Sequence, residues 1–345
     1  MTPGTFEAPI LTFDLRAMEQ RMRAVAALAA RSNFQILFPV KSFPARPALR
    51  VAARCLHGFD VSNRAELDLI RPFLSRRHAL WVSGPAPADA RSFPARATIG
   101  LDNPGARPIR GGVRAAVRID ASELLPSRGE SRFGWSFEQI SGLKGGRGDP
   151  LSFSLHHGFQ NTTAADVVSL FILSTRRLAQ LGFSYHEINL GGGWQHMGMR
   201  DVSWMFRELR ARGARGVVFE PGRWFSQHCG AARGRILAAR RSRRGWDLTL
   251  NVSALAHLRW SKTALAGRVA GIKSGRERLR FFGPSCSEDD LVLTAEGAIP
   301  DPASVVGAAV RLRGVCGYSA AWNHSFNGFP AARVRFEEPP GRSRS

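Results

Sequence analysis

Lysine is scarce in this chain: Lys41, Lys144, Lys262 and Lys273 are the only lysines among its 49 basic residues, and the rest are arginine. The net charge of +22 would suit a partner with a phosphate backbone. The arginines are scattered, however, with no long basic block interleaved with aromatics, and no helix-turn-helix, zinc or RNA-sheet motif is present. Coding bias toward arginine accounts for the charge, and nucleic-acid binding is not expected. Cysteine is also sparse. Cys55, Cys229, Cys286 and Cys316 show no CxxC spacing, which excludes the usual zinc modules, predicts no metal site and fits reduced thiols in a cytoplasm. No apolar run approaches the ~18–20 residues of a membrane span, so none is expected. Met1 to Phe13 lacks the basic flank and apolar stretch of a secretory leader. No internal repeat or long low-complexity segment stands out.

What is present is enough for a large core: 345 residues, 44% hydrophobic, with 8 Trp and 22 Phe. Short apolar or β-branched runs recur at Gln35–Lys41, Gly58–Val61, Ala79–Pro85, Ala97–Asp102, Val113–Asp120, Leu151–Gly158, Glu187–Gly193 and Gly216–Gly222. Helical patterns over Ala45–Cys55, Ala65–Leu74, Ala164–Leu181 and Trp204–Arg212 alternate with them, the βα rhythm of a parallel sheet. Eight such units predict an α/β fold, a (β/α)8 barrel whose reactive groups sit at the C-terminal strand ends. Ala86–Arg96 and Asn103–Gly112 are poor in helix formers and short for crossovers, so one or two barrel helices are expected to be stunted.

From about Cys229 the texture changes to strand candidates separated by Arg/Gly turns, at Arg235–Ala239, Trp246–Val252, Leu279–Phe282, Leu291–Thr294 and Ser304–Leu312. The expected organisation is an N-terminal strand and helix over residues 1–30, the barrel over 31–228, a mainly β domain over 229–337 and a disordered tail over 338–345.

Three segments can carry chemistry. Lys41 ends a strand in FPVKSFP, where desolvation lowers an amine's pKa and suits it to an imine with an aldehyde cofactor; taken alone it can equally begin a loop. Gly191, Gly192 and Gly193 of INLGGGW supply backbone N–H groups unobstructed by Cβ, a cradle for phosphate or simply a tight turn. Glu220 and Arg223 of FEPGRW stand at the eighth strand end, where a buried carboxylate can keep a pyridinium protonated or the two can pair with each other.

Together these motifs resemble the ornithine and diaminopimelate decarboxylase family, barrel-type (fold type III, alanine-racemase-like) pyridoxal-phosphate enzymes. PVKSFP resembles the family's AVKANP, GFDVSNRAEL its GFDVASxxEL, INLGGGW its GGG segment, FEPGRW its EPGR, GPSC its GPTC, and CGYSAAWNHSFNGFP its GAYxxAxxxxFNGF, in the same order along nearly the whole chain. The resemblance implies a Schiff base of pyridoxal 5'-phosphate on Lys41, with Asp60 and Glu66 nearby and His156 stacked on the ring. Glu220 would pair with the ring nitrogen, and Gly191, Gly192, Gly193, Arg223 and Tyr318 would hold the phosphate. Arg128, ahead of an RFG that resembles the family's KFG, would reach the ring oxygen or the substrate carboxylate. Cys286 would return a proton after carbon dioxide leaves, across the interface of a homodimer with shared sites.

The chain also departs from that pattern. Val252 and Ser287 stand where ornithine decarboxylases place the aspartates that read a distal amine, with Glu288 and Asp289 as possible substitutes, and Phe159 replaces a serine that usually touches phosphate. A simple diamine precursor would leave its distal ammonium unpaired. The expectation is a decarboxylase of an amino acid or amino-acid conjugate. The alternatives are a racemase on the same barrel, disfavoured because such enzymes set an arginine where Glu220 stands, and a catalytically degenerate binding protein.

Overall fold

A computed structural model of the chain describes residues 7–84, 93–103, 114–125, 131–143, 151–156 and 162–337. Within them the chain divides into two units, Glu19–Trp224 and a second made of residues 7–18 with 225–337.

The first unit is a closed barrel of eight parallel strands. In chain order, after β1 (Ile10–Asp14) and α1 (Leu15–Ala30), these are β2 (Gln35–Pro39), β3 (Gly58–Val61), β4 (Ala79–Val82), β5 (Thr98–Leu101), β6 (Arg114–Arg118), β7 (Leu151–Ser154), β8 (Tyr185–Asn189) and β9 (Val217–Phe219). Each neighbour pairs in parallel, and β9 returns to β2 through Gln35↔Val218 to close the ring. All eight expected runs supply a strand. All but β3, which matches its run, are shorter than expected because the final residues of several runs turn out of the ladder to form the rim. Leu37, Trp81, Ala116 and Val218, from four different strands, form one core cluster in which a large ring stands among smaller side chains.

The helices are placed by their caps and apolar faces. After α2 (Arg46–Cys55), α3 (Arg64–Ile70) starts at Asn63, whose side chain accepts from Glu66 N, and α4 (Phe137–Ser141) starts at a Ser136 capping box. In α5 (Ala164–Gln180) Thr163 and Asp166 form a capping box, and Ala164, Val167, Phe171, Ser174 and Leu178 bury one face. The helix expected over Trp204–Arg212 begins five residues earlier, as α6 (Met199–Ala211), because Asp201 accepts from Gly198 N at 2.7 Å. The two connections expected to be stunted lie largely outside the described residues.

The second unit is a mainly antiparallel sheet. After α7 (Gly222–Ser226) come β10 (Gly230–Ser242), β11 (Gly245–Leu250), β12 (Ala264–Leu265), β13 (Lys273–Phe282), β14 (Leu291–Ala298), β15 (Ala309–Val315), α8 (Tyr318–Ala321) and β16 (Arg333–Glu337). The order is β12-β15-β10-β11-β13-β14, with β1 antiparallel to β10 and parallel to β16. The N-terminal strand is therefore part of this sheet. The run read as a strand from Ser304 starts instead as a 3-10 turn, Pro302–Ser304, capped by Asp301, so that β15 begins only after Gly307. The four cysteines are free thiols, and among the described residues no helix is long and apolar enough to cross a membrane.

Candidate active site

Because all eight barrel strands run the same way, residues that follow their C-terminal ends share one rim. Pro39 ends β2 and the chain turns at once into a 3-10 turn, Val40–Ser42, held by Phe43 N to Val40 O and by the buried Ser42 hydroxyl donating to Pro39 O at 2.8 Å. This turn fixes Lys41 at the rim. Its Nζ donates to Asp60 Oδ2 at 3.3 Å, and the Asp60 side chain is wholly buried. The Pro39↔Asp60 register of β2 and β3 brings the pair together. Burial raises the Asp60 carboxyl above its ordinary range, with the Lys41 charge pulling it back down. Glu66, in the first turn of α3, accepts from Ser62 N at 2.7 Å and is also raised, first by burial.

Glu220 follows β9 and is buried. Its Oε1 accepts from Asn189 Nδ2, while Asn189 Oδ1 accepts from Gly191 N at 2.9 Å, so one carboxamide ties the acid to the glycine turn. Glu220 N donates to Gly191 O at 2.8 Å. Burial pushes the Glu220 carboxyl up to about 8 from an ordinary 4.5, the Asp60 charge adds to the rise, and Lys41, Asn189 and Arg118 oppose it. The folded chain thus keeps a proton that the unfolded chain loses above 4.5. That contribution to stability is full below the unfolded value and is lost as pH rises through about 8, at up to about 1.4 kcal/mol per pH unit. Urea unfolding of the cofactor-free protein should show native stability falling by about 2–4 kcal/mol relative to Glu220→Gln between pH ~5 and ~8. Parallel pH profiles for the two proteins would contradict the assignment.

The glycine triplet is dictated by geometry. Gly191 and Gly193 have φ of +69° and +85°, in the region that favours glycine, and a Cβ on Gly192 would stand 2.2 Å from Glu220 O. Gly192→Ala should cost about 3 kcal/mol, the upper end of overpacking because the obstacle is backbone. A urea midpoint equal to that of the native protein would show that the β8 and β9 ends do not approach as described. His156, just after β7, packs against this turn, its Cδ2 lying 3.2 Å from the Cβ position of Gly191. Arg223 is on the first turn of α7, immediately beyond Glu220.

Arg128 and Phe159 lie outside the described residues. A second arginine at the rim, besides Arg223, is Arg118, the last residue of β6, which the sequence reading did not single out. It pairs with Asp102 at 2.8 Å, its guanidinium lies 4.5 Å from the Phe133 ring centre of the RFG segment, and it donates to His156 O at 3.3 Å. Its Nε is buried with no hydrogen-bond partner among the described residues. In a chain with so many arginines, its position at the end of a β-branched run, AAVRID, was the only signal.

The sheet unit carries the other two residues. Cys286 is exposed at the β13–β14 turn with φ of +57°, a strained conformation for a non-glycine residue. The turn is organised by Asp290, fully buried, which accepts from Ser253 Oγ at 3.0 Å, Ala254 N at 2.6 Å and Ser285 N at 3.3 Å. Sequence reading missed Asp290. Ser287, Glu288 and Asp289 are exposed beside Cys286, whereas Val252 is fully buried. Tyr318 opens α8, with the Trp260 ring edge-on at 4.8 Å.

No protein-family model and no curated protein matches the sequence, but solved structures do. The arginine decarboxylase of Paramecium bursaria Chlorella virus superposes with a TM-score of 0.74 at 14% identity, covering 96% of each chain. A lysine/ornithine decarboxylase from Vibrio vulnificus, complexed with cadaverine, gives 0.72 at 18% identity over 97% of this chain and 96% of that one. Carboxynorspermidine decarboxylase from Campylobacter jejuni, complexed with norspermidine, gives 0.71 at 14% identity over 96% and 94%. This chain has their fold. The closed parallel barrel with a separate sheet unit is the alanine-racemase-like architecture expected from the motifs.

The rim suits pyridoxal phosphate on its own evidence. It offers one amine at a strand end held by a buried acid, a second buried acid whose affinity for its proton is raised by burial, and a turn of three glycines of which Gly191 N already donates to Asn189.

Proposed function

We propose that this chain is a pyridoxal-phosphate-dependent carboxy-lyase acting on an amino acid or amino-acid conjugate. The observation that carries the reading is that two hydrogen-bonded groups, Lys41 with Asp60 and Glu220 with Asn189 and the glycine turn, stand at the C-terminal rim of the barrel, where the Asp60 and Lys41 charges act on Glu220. Lys41 would hold the cofactor's aldehyde carbon as a Schiff base, His156 its ring face, and Gly191, Gly192, Gly193, Arg223 and Tyr318 its phosphate. The bound cofactor supplies an electron sink for the pair released as carbon dioxide departs.

The residues do the rest. Asp60 accepts from Lys41 Nζ and keeps the amine aimed along the rim. Glu220, protonated in the cofactor-free protein, has a proton to share with a ring nitrogen, and Asn189 fixes the oxygen that bears on it. Arg118 presents a buried Nε donor for a carboxylate or ring oxygen, the role first considered for Arg128. Cys286 Sγ delivers the proton that replaces carbon dioxide on the substrate carbon. Because Cys286 and Tyr318 belong to the sheet unit, we assign the active species as a homodimer with shared sites, for which sedimentation of active protein is the check.

Carbon dioxide release from a panel of amino acids and their carboxylated or acylated conjugates, with pyridoxal phosphate added, tests the reading. Release from at least one member with loss in Lys41→Ala is the expected result. Racemisation without release would favour the racemase, and failure to retain the cofactor would favour a binding protein.

A further inference from the structure

The first residues of the barrel strands enclose a concavity of about 550 Å³ at the end opposite the rim. Its chemistry is one-sided. Arg76, Arg77, Arg96 and Arg114 line it, and Glu187 is the only carboxylate lining it among the described residues. Glu187 lies 3.9 Å from Arg114, a long ion pair, and Arg77 gives one N–H to Ala53 O at 3.1 Å. Among the described residues Arg76 and Arg96 have no ion-pair partner.

One further group points to a ligand. Ile36 N donates to His57 Nδ1 at 3.1 Å, and burial holds the His57 ring below the usual histidine range, so the neutral ring of this lining residue carries its hydrogen on Nε2 as a donor. Gln35, the first residue of β2, has a buried side-chain oxygen with no hydrogen-bond partner among the described residues, an acceptor that only a hydrogen-bearing oxygen of an anion would satisfy. The N-terminal mouth of a barrel ordinarily serves stability. Ion pairing for stability would balance its charges, whereas here four guanidiniums face one carboxylate, in a space of the size that takes a small ligand.

We propose that this mouth is a binding site for a small multivalent oxyanion, held by the forks of Arg76 and Arg96 with the His57 N–H beneath. An excess of several positive charges around one concavity repels cations and holds multivalent anions more strongly than monovalent ones. The site is separate from the rim, and the proposal does not depend on the function assigned there.

Calorimetric titration of pyrophosphate into the full chain tests it, with no pyridoxal phosphate added because that phosphate ester would compete for the same mouth. Native protein should show saturable binding, and the arginine variants separate the mouth from a phosphate cradle at the rim. Arg76→Glu with Arg96→Glu should weaken it at least tenfold, and the milder Arg76→Gln with Arg96→Gln should weaken it in the same direction. Arg243→Glu with Arg244→Glu, exposed in the β10–β11 turn, makes the same change in net charge and should weaken it less than threefold. No saturable heat with native protein, or equal losses in both charge-reversed variants, would overturn the proposal.

Discussion

Replacing Lys41 with alanine should leave a chain that folds normally yet carries no borohydride-fixed pyridoxal adduct. The side chain is partly exposed on a turn whose shape is set by backbone and by the Ser42 hydroxyl, so its removal takes no buried atoms from the core. The change falls first on Asp60, whose carboxyl loses its cation and, already raised by burial, takes up a proton more readily, and Glu220 and Glu66, which the same charge lowers, move in the same direction. Mass spectrometry of the reduced, digested protein decides the matter. Native protein should yield the adduct on the peptide containing Lys41, and the variant none, a loss approaching completeness because an imine needs a primary amine. An adduct on Lys262 or Lys273 in the native protein would move the chemistry off the barrel rim.

The second large effect concerns substrate choice. Ornithine and lysine should be turned over about two to four orders of magnitude more slowly than a substrate whose distal end is neutral, acidic or conjugated. Val252 is buried and apolar, and Asp290 is buried and already accepts from Ser253, Ala254 and Ser285, so among the described residues of this turn only the exposed Glu288 and Asp289 are left to meet a distal ammonium, and solvent there weakens such a pair. A buried, unpaired ammonium costs several kcal/mol, and each 1.36 kcal/mol is about tenfold in rate. Ser287→Asp places a carboxylate on the exposed turn and should narrow the gap, whereas Val252→Asp would bury an acid and cost stability first. If unmodified protein decarboxylates ornithine as fast as any other amino acid, Glu288 or Asp289 already reads the amine and the argument from Val252 and Ser287 is wrong.

The barrel was legible because its strands come from short, mostly apolar runs, three of them closed by an unusual residue: Lys41 after β2, the glycine triplet after β8, Glu220 after β9. Lys41 stood out against a background of arginine, and for the same reason Arg118 did not. Its importance comes from the pairing of β5 with β6 and from the return of Phe133 and Trp135 to that corner, contacts between residues distant in sequence. Asp290 was hidden in another way. Beside Glu288 and Asp289 it looks like one more loop acid, and only burial and its donors, Ser253 Oγ and the backbone N–H groups of Ala254, Leu255 and Ser285, set it apart. The start of α6 was misplaced because its cap is a glycine backbone answered by Asp201, which gives no hydroxyl or carboxamide signal at the cap itself. That β1 pairs with β10 and β16 follows from a register with no local trace.

The central claim is that a cofactor aldehyde sits on Lys41 at the barrel rim, and the absorption spectrum of purified protein mixed with pyridoxal phosphate tests it most directly. The account predicts a band near the visible edge that sodium borohydride abolishes in native protein and that Lys41→Ala never shows. A spectrum that is only the sum of protein and free cofactor, at cofactor concentrations well above those of the protein, would contradict it.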